Sequence, residues 1–252
     1  MPRHSAPPFL AALTAALVLG CGQNEPTRPT DLPADTPAPD LKSAAASSQF
    51  DPADFTGVVD NRYLPWQPGT RFVYVGEEDG EPERDITVVT HQKKTILGVD
   101  VVVVLDQVYQ SGSLTEQTFD WYAQDKKGNV WYFGEDSRTI EDGEVVSTEG
   151  SWEAGKNGAL PGIIMPAHPH VGQSTQQEFA PGIAEDMARV LHLGRKVTVP
   201  YGSFNHCIET EEFTPLEPDV REVKLYCPGI GLVEERDVQG GSAHLALTRI
   251  SR

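Results

Sequence analysis

The chain has 252 residues and a formal net charge of −17 at neutral pH, with 37 acidic against 20 basic residues. A surface this negative repels phosphate backbones and anionic lipid headgroups. The composition therefore excludes nucleic acid as a partner.

The first twenty residues have the pattern of a secretory signal peptide. Arg3 and His4 precede the apolar run at residues 9–19, which is short for a membrane-spanning helix. The residues 18–21, Val-Leu-Gly-Cys, resemble a bacterial lipobox, in which the cysteine is lipidated. We expect a signal peptide over residues 1–20 and a lipid anchor on Cys21. The protein would then lie outside the cytoplasm, on the periplasmic side of the outer membrane in a Gram-negative cell. The alternative is an ordinary cleaved signal with an incidental cysteine.

Residues 21–48 are rich in Pro, Thr, Ala, Asp and Ser and contain almost no large apolar residue. Such a segment buries too little surface to offset its ordering entropy, which predicts a disordered tether. Residues 49–252 are then long enough for a single β-rich domain.

Turn signals divide this domain at short intervals. Asp79-Gly80, Leu97-Gly98, Ser111-Gly112, Gly128-Asn129 and Asp142-Gly143 separate runs of β-branched and aromatic residues, the pattern of β-hairpins. Residues 183–193 fit a helix or a strand about equally, and we favour a strand. Because a long sheet must protect its edges, we predict an all-β fold, a curved antiparallel meander forming a barrel or half-barrel.

Several blocks carry a resemblance to secreted bacterial β-rich lipoproteins, a family of uncharacterised function. The matching blocks are residues 61–65, 68–74, 120–125, 128–133, 150–155, 160–163, 184–186, 197–204 and 228–233. The resemblance covers nearly all of the chain after residue 55. It implies an exported β-sheet domain and assigns no functional residue.

With Cys21 assigned to the lipid, Cys207 and Cys227 remain. An even pair in an oxidising compartment predicts a disulfide. Prolines 215 and 218 favour a turn between the two strands that carry the cysteines, which would bring these residues together. A metal or catalytic pair is less favoured because neither cysteine lies in a Cys-x-x-Cys motif.

An aromatic cluster is predicted on one hairpin, formed by Trp121, Tyr122, Trp131 and Tyr132. Cross-strand packing explains such a cluster without any function. The functional alternative is that these side chains line a cavity for an apolar or amphipathic small molecule.

Catalytic and metal sites have fewer indications. The carboxylates of Glu153, Glu178, Glu185 and Asp186 could supply an acid and a base, although close carboxylates are expected by chance in so acidic a chain.

Met165, His168 and His170 could hold copper, but the prolines around them favour a surface loop. We therefore predict no metal and no cofactor. The chain lacks the Gly-x-Ser-x-Gly, His-Glu-x-x-His, P-loop and dinucleotide motifs.

Three functions are compatible with these observations. The favoured one is a membrane-anchored binding protein for an apolar or amphipathic small molecule. The alternatives are an extracytoplasmic hydrolase that uses carboxylates and a structural component of the cell envelope. Whether the protein is an enzyme stays open at this point.

Overall fold

The computed structural model describes residues 51–252. The predicted signal peptide (1–20), the lipidation site Cys21 and the predicted tether (21–48) lie outside this range. Within residues 51–252, no helix is both long and apolar enough to cross a membrane.

The described chain contains a single 3₁₀ turn at Pro52–Asp54 and is otherwise built from strands. In chain order these are β1 (Phe55–Thr56), β2 (Arg71–Glu78), β3 (Glu81–Ile96), β4 (Val99–Gln110), β5 (Ser113–Asp125), β6 (Val130–Glu141), β7 (Glu144–Ser147), β8 (Trp152–Glu153), β9 (Leu160–Met165), β10 (Ser174–Gln176), β11 (Glu178–Phe179), β12 (Met187–Val199), β13 (Gly202–Thr214), β14 (Glu217–Cys227), β15 (Gly231–Gln239) and β16 (His244–Ser251).

Two antiparallel meanders make up the sheet. Strands β2 to β6 pair consecutively in one, and β12 to β16 pair consecutively in the other. The meanders are joined where β16 pairs with β2, with Ser251 opposite Arg71 and His244 opposite Glu77. The predicted all-β, curved antiparallel fold is confirmed.

A short segment at residues 174–179 brings the two ends of the sheet together. Its first half, β10, pairs with β12, and its second half, β11, pairs with β9, so the chain changes partner at the buried residue Gln177. Gly162 in β9 faces this crossing, where a Cβ atom would lie only 2.2 Å from the Gln177 carbonyl oxygen. The sheet is thereby nearly closed into a barrel, with a single seam at this segment.

Tight hairpins follow the predicted turn residues. Asp79 and Gly80 both have positive φ (51° and 79°), as do Asp142 and Gly143 (52° and 82°). This is the combination that a two-residue type I′ turn requires, and its twist matches that of the flanking strands. The residues of the turns therefore set the register of these hairpins.

The ambiguous segment at residues 183–193 is a strand in its second part. Strand β12 begins at Met187, so the preference for a strand over a helix is confirmed there. Residues 180–184 instead form a turn, in which the Ala184 amide donates to the Ala180 carbonyl. The side chains of Met187 and Val190 are buried.

The predicted disulfide is present. Cys207 on β13 and Cys227 on β14 are bonded, with their Cα atoms 4.2 Å apart, and both side chains are fully buried. The neighbouring pair Ile208 and Tyr226 is in register. The bridge thus joins two strands that are already adjacent in the sheet.

Candidate functional site

Acidic side chains are buried inside the sheet on many strands. Carboxyl groups exposed by no more than 8% are contributed by Glu83, Asp85, Asp106, Asp120, Glu135, Glu178, Glu212 and Glu235, among others. The alternation of residues along the strands did not predict this acidic interior. Because burial disfavours the charged form, it raises the pKa of most of these groups.

One buried lysine offsets part of this acidity. The Lys224 ammonium lies 2.9 Å from Glu212, 3.1 Å from Glu222 and 3.6 Å from Glu235. Burial alone would lower the pKa of Lys224, but these three carboxylates raise it well above its usual value. Lys224 is therefore a charged group in a cluster that spans β13, β14 and β15.

A second buried network connects β5 and β6. The Tyr132 hydroxyl lies 2.7 Å from Asp120 Oδ1 and 3.1 Å from Glu135 Oε2. A phenol carries one hydrogen, so one of these two contacts needs a proton on a carboxyl group. Burial, followed by the Asp120 charge, raises the pKa of Glu135 well above its usual value. The neutral form of Glu135 is the one that this environment favours.

Glu178 and Asp186, two of the four candidate catalytic residues, lie beside this network. Glu178 is fully buried and accepts a hydrogen bond from Trp152 Nε1 at 2.9 Å. Burial, and then the charge of Asp186, raise the pKa of Glu178. Burial raises the pKa of Asp186 to about 7.

The other two candidate carboxylates occupy different surroundings. Glu153 Oε2 lies 2.7 Å from Lys94 Nζ and 3.0 Å from Lys156 Nζ. Partial burial would raise the pKa of Glu153, but the hydrogen bonds from the two lysines lower it. Glu185 accepts the Gly182 amide within the turn before β12. The four candidates therefore do not form one cluster.

One cavity among the described residues lies inside the sheet and is very small. It is lined by Trp66, Asp106, Asp120, Lys224 and Tyr226, among others, and its volume is about 30 Å³. That volume accommodates roughly one or two water molecules. This cavity does not accommodate an organic ligand.

A larger pocket opens where β6 meets β8. We call it the β6 pocket and define it by Lys94, Trp121, Glu135, Trp152, Glu153, Lys156 and Ile183. Its volume is about 410 Å³. Gly134 makes the geometry possible, because its φ is +119° and a Cβ there would lie 2.2 Å from the Trp152 carbonyl oxygen. The glycine lets β8 approach β6 closely, with Glu135 opposite Trp152.

The charged groups of the β6 pocket surround an aromatic ring. Lys94 Nζ lies 3.1 Å from the centroid of the Trp121 ring and is also bonded to Glu153. A cation over the face of an indole is attracted by the ring quadrupole. Trp121 and Lys94 therefore pack together in one wall of the pocket.

Glu135 lines this pocket, but its carboxyl group is buried and lies beside the Tyr132 hydroxyl inside the sheet. The residue is 2% exposed, and its Oε1 atom has no hydrogen-bond partner among the described residues. A buried polar atom without a partner costs about 1–3 kcal/mol. Because the atom is buried, a ligand in the pocket does not contact it.

The four aromatic residues predicted as a cluster do not share one environment. Trp121 lines the β6 pocket, whereas Tyr122 and Tyr132 stack on each other inside the sheet, with ring centroids 4.9 Å apart. Trp131 is half-buried, and its Nε1 donates to Asp125. Lys94, Glu135 and Trp152 were not among the site residues predicted from the sequence. Trp152 lies in the block at residues 150–155, which resembles the secreted lipoproteins, and that resemblance is the sequence signal that could have identified it.

The alternative metal ligands do not converge. Met165 is buried in the core, whereas His168 and His170 are exposed. Within residues 51–252, no three His, Cys, Asp or Glu side chains are grouped so that they could hold a metal ion.

Two solved structures are similar to this chain. One, from Bacteroides fragilis NCTC 9343, is described as an exported protein with a YmcC-like fold. It is 15% identical with a TM-score of 0.46, over 76% of this chain and 100% of that one. The other, from Parabacteroides distasonis ATCC 8503, is described as a lipoprotein. It is 12% identical with a TM-score of 0.43, over 76% of this chain and 99% of that one. No family model and no curated protein matches the chain.

Proposed function

We propose that the protein is a lipid-anchored extracytoplasmic binding protein whose ligand, an amphipathic small molecule, occupies the β6 pocket. The observation that carries the proposal is the pocket itself, about 410 Å³ in volume, in which Lys94 lies over the Trp121 ring close to Trp152. A site for a small molecule characteristically combines apolar walls with a small number of placed polar groups.

The size and lining of the β6 pocket support an amphipathic ligand. A volume of about 410 Å³ lies within the range of small-molecule sites, about 300–1,000 Å³. Trp121, Trp152 and Ile183 supply apolar surface, and Lys94, Lys156 and Glu153 supply charge at the same pocket. A ligand with one apolar and one polar end would contact both the apolar surface and the charged groups.

The proposed location rests on the sequence and on the disulfide. The signal-like segment and Cys21 favour export and lipid anchoring, which requires more than one acyl chain to be firm. The bond between Cys207 and Cys227 fits an oxidising compartment.

The test compares two tryptophan variants by native mass spectrometry and by calorimetric titration with 1-octanol. Trp121→Ala removes a pocket wall, whereas Trp131→Ala removes an indole of the same hairpin outside the pocket. We expect a co-purifying small molecule in the wild type and in Trp131→Ala, and its loss in Trp121→Ala. We also expect Trp121→Ala to weaken octanol binding at least about fivefold. An unliganded mass for the wild type together with no octanol binding would overturn the proposal.

A further inference from the structure

Two lysines meet at one carboxylate in the β6 pocket. Lys94 and Lys156 share the carboxylate of Glu153. Asp136 also lines the pocket and is bound by Arg138, with the closest contact at 2.7 Å. Of these five side chains three are cationic and two are anionic, whereas the whole chain has a net charge of −17.

The two lysines have hydrogen-bond donors left over. Each ammonium group carries three N–H donors. Lys94 directs one toward Glu153 and lies over the Trp121 ring, and Lys156 pairs with Glu153. Lys156 is 66% exposed, so its remaining donors are accessible from the pocket.

Glu135, a further acidic residue that lines the pocket, has its carboxyl group buried beside the Tyr132 hydroxyl. Burial favours the neutral form of Glu135 by raising its pKa. A neutral Glu135 does not repel an anion bound in the pocket.

We propose that the β6 pocket selects amphiphiles that carry a carboxylate head group, which binds Lys94 and Lys156 in competition with Glu153. This inference rests on the proposed function and adds the head group to it. The apolar chain of the ligand packs against Trp152 and Ile183, and the head group occupies the open side of the two ammonium groups. Glu153 keeps the two lysines in place while the pocket is empty.

Because the head group competes with Glu153, variants of Glu153 and of the lysines should change the affinity for octanoate in opposite directions. Glu153→Gln removes the competing charge, so it tightens octanoate binding about threefold to tenfold. Lys156→Met removes one cation and weakens octanoate binding about fivefold or more, since a partly exposed charge pair contributes about 1 kcal/mol. Both variants change the binding of 1-octanol, which has the same chain and no charge, by a smaller factor than the binding of octanoate.

Calorimetric titration of the intact protein with octanoate, 1-octanol and octylamine at one pH measures these effects. The matched control is Lys126→Met, which removes an exposed lysine outside the pocket. We expect octanoate to bind most tightly and octylamine least. The head-group inference fails, while the proposed function stands, if 1-octanol binds as tightly as octanoate and Glu153→Gln changes the affinity for neither compound. If none of the three probes binds, the proposed function itself fails.

Discussion

Lys224 is the one lysine or arginine among the buried residues that the structure describes, and three carboxylates lie within 3.6 Å of its ammonium group. Removal of one partner from a buried ion cluster leaves uncompensated charge in a medium that solvates it poorly. The stability of this part of the sheet therefore depends on a single cation.

Lys224→Met should lower the free energy of unfolding by about 3–5 kcal/mol at pH 7.5, because three carboxylates around a buried position lose their counter-ion. Chemical denaturation measures the change. The loss should be smaller at pH 5, because burial raises the pKa of Glu222 and Glu235 and so favours their neutral forms. Lys126→Met, at an exposed position, serves as the control. Equal stability of the two variants would contradict this account of the cluster.

The residues of the β6 pocket were only partly predictable from the sequence. Trp121 belongs to an aromatic hairpin pattern, and Glu153 was selected as a carboxylate. Glu135, Lys94 and Trp152 were not selected, because they meet only through the pairing of β6 with the two-residue strand β8. Neither alternation nor motif spacing encodes a contact of that kind.

The seam at residues 174–179 shows the same limit at the level of the secondary-structure element. The long hairpins were predictable because their Asp-Gly turns and alternating residues act locally. Strands β10 and β11 have three and two residues, and each is defined by its partners β12 and β9 rather than by its own composition. A pattern that short carries no periodic signal.

Gly162→Ala should destabilise the seam. The added Cβ would lie 2.2 Å from the Gln177 carbonyl oxygen and 2.5 Å from that of Gln176, and both are backbone atoms that cannot move independently. Overpacking of this kind costs about 1–3 kcal/mol. We expect a loss of about 2 kcal/mol or more in urea denaturation.

Gly202→Ala is the matched control for this variant, since its Cβ would meet nothing closer than 3.8 Å. It should change stability by less than about 0.5 kcal/mol. A Gly162→Ala protein as stable as Gly202→Ala would mean that the seam does not hold the sheet closed.

For the whole molecule, the buried carboxyl groups connect stability to pH. Burial, and then the charge of Glu78, raise the pKa of Glu83 to about 8, and burial raises that of Asp186 to about 7. Below about pH 4 these groups are protonated in both the folded and the unfolded chain. Between about pH 4 and 8 the unfolded chain ionises first, so the stability of the folded state falls as the pH rises.

The free energy of unfolding should therefore be at least about 2 kcal/mol lower at pH 8.5 than at pH 5.5, since each unit of pKa difference corresponds to about 1.4 kcal/mol. Urea denaturation at the two pH values tests this. Glu83→Gln, which imitates the protonated side chain, should be more stable than the wild type at pH 8.5 and nearly equal to it at pH 5.5. Glu77→Gln, at an exposed position, should reproduce the wild-type profile. Stability that increases with pH would refute the assignment.

The pairing of β16 with β2 also affects folding. Thr248 donates to the carbonyl of Val73, a partner 175 residues earlier in the chain. Wherever folding takes place, β2 and the hairpins after it can form before the last strand of the chain reaches them. Until β16 pairs with it, β2 has an unpaired edge, which is a template for pairing with other chains. Truncation of the chain before β16 should therefore expose the edge of β2 and promote aggregation.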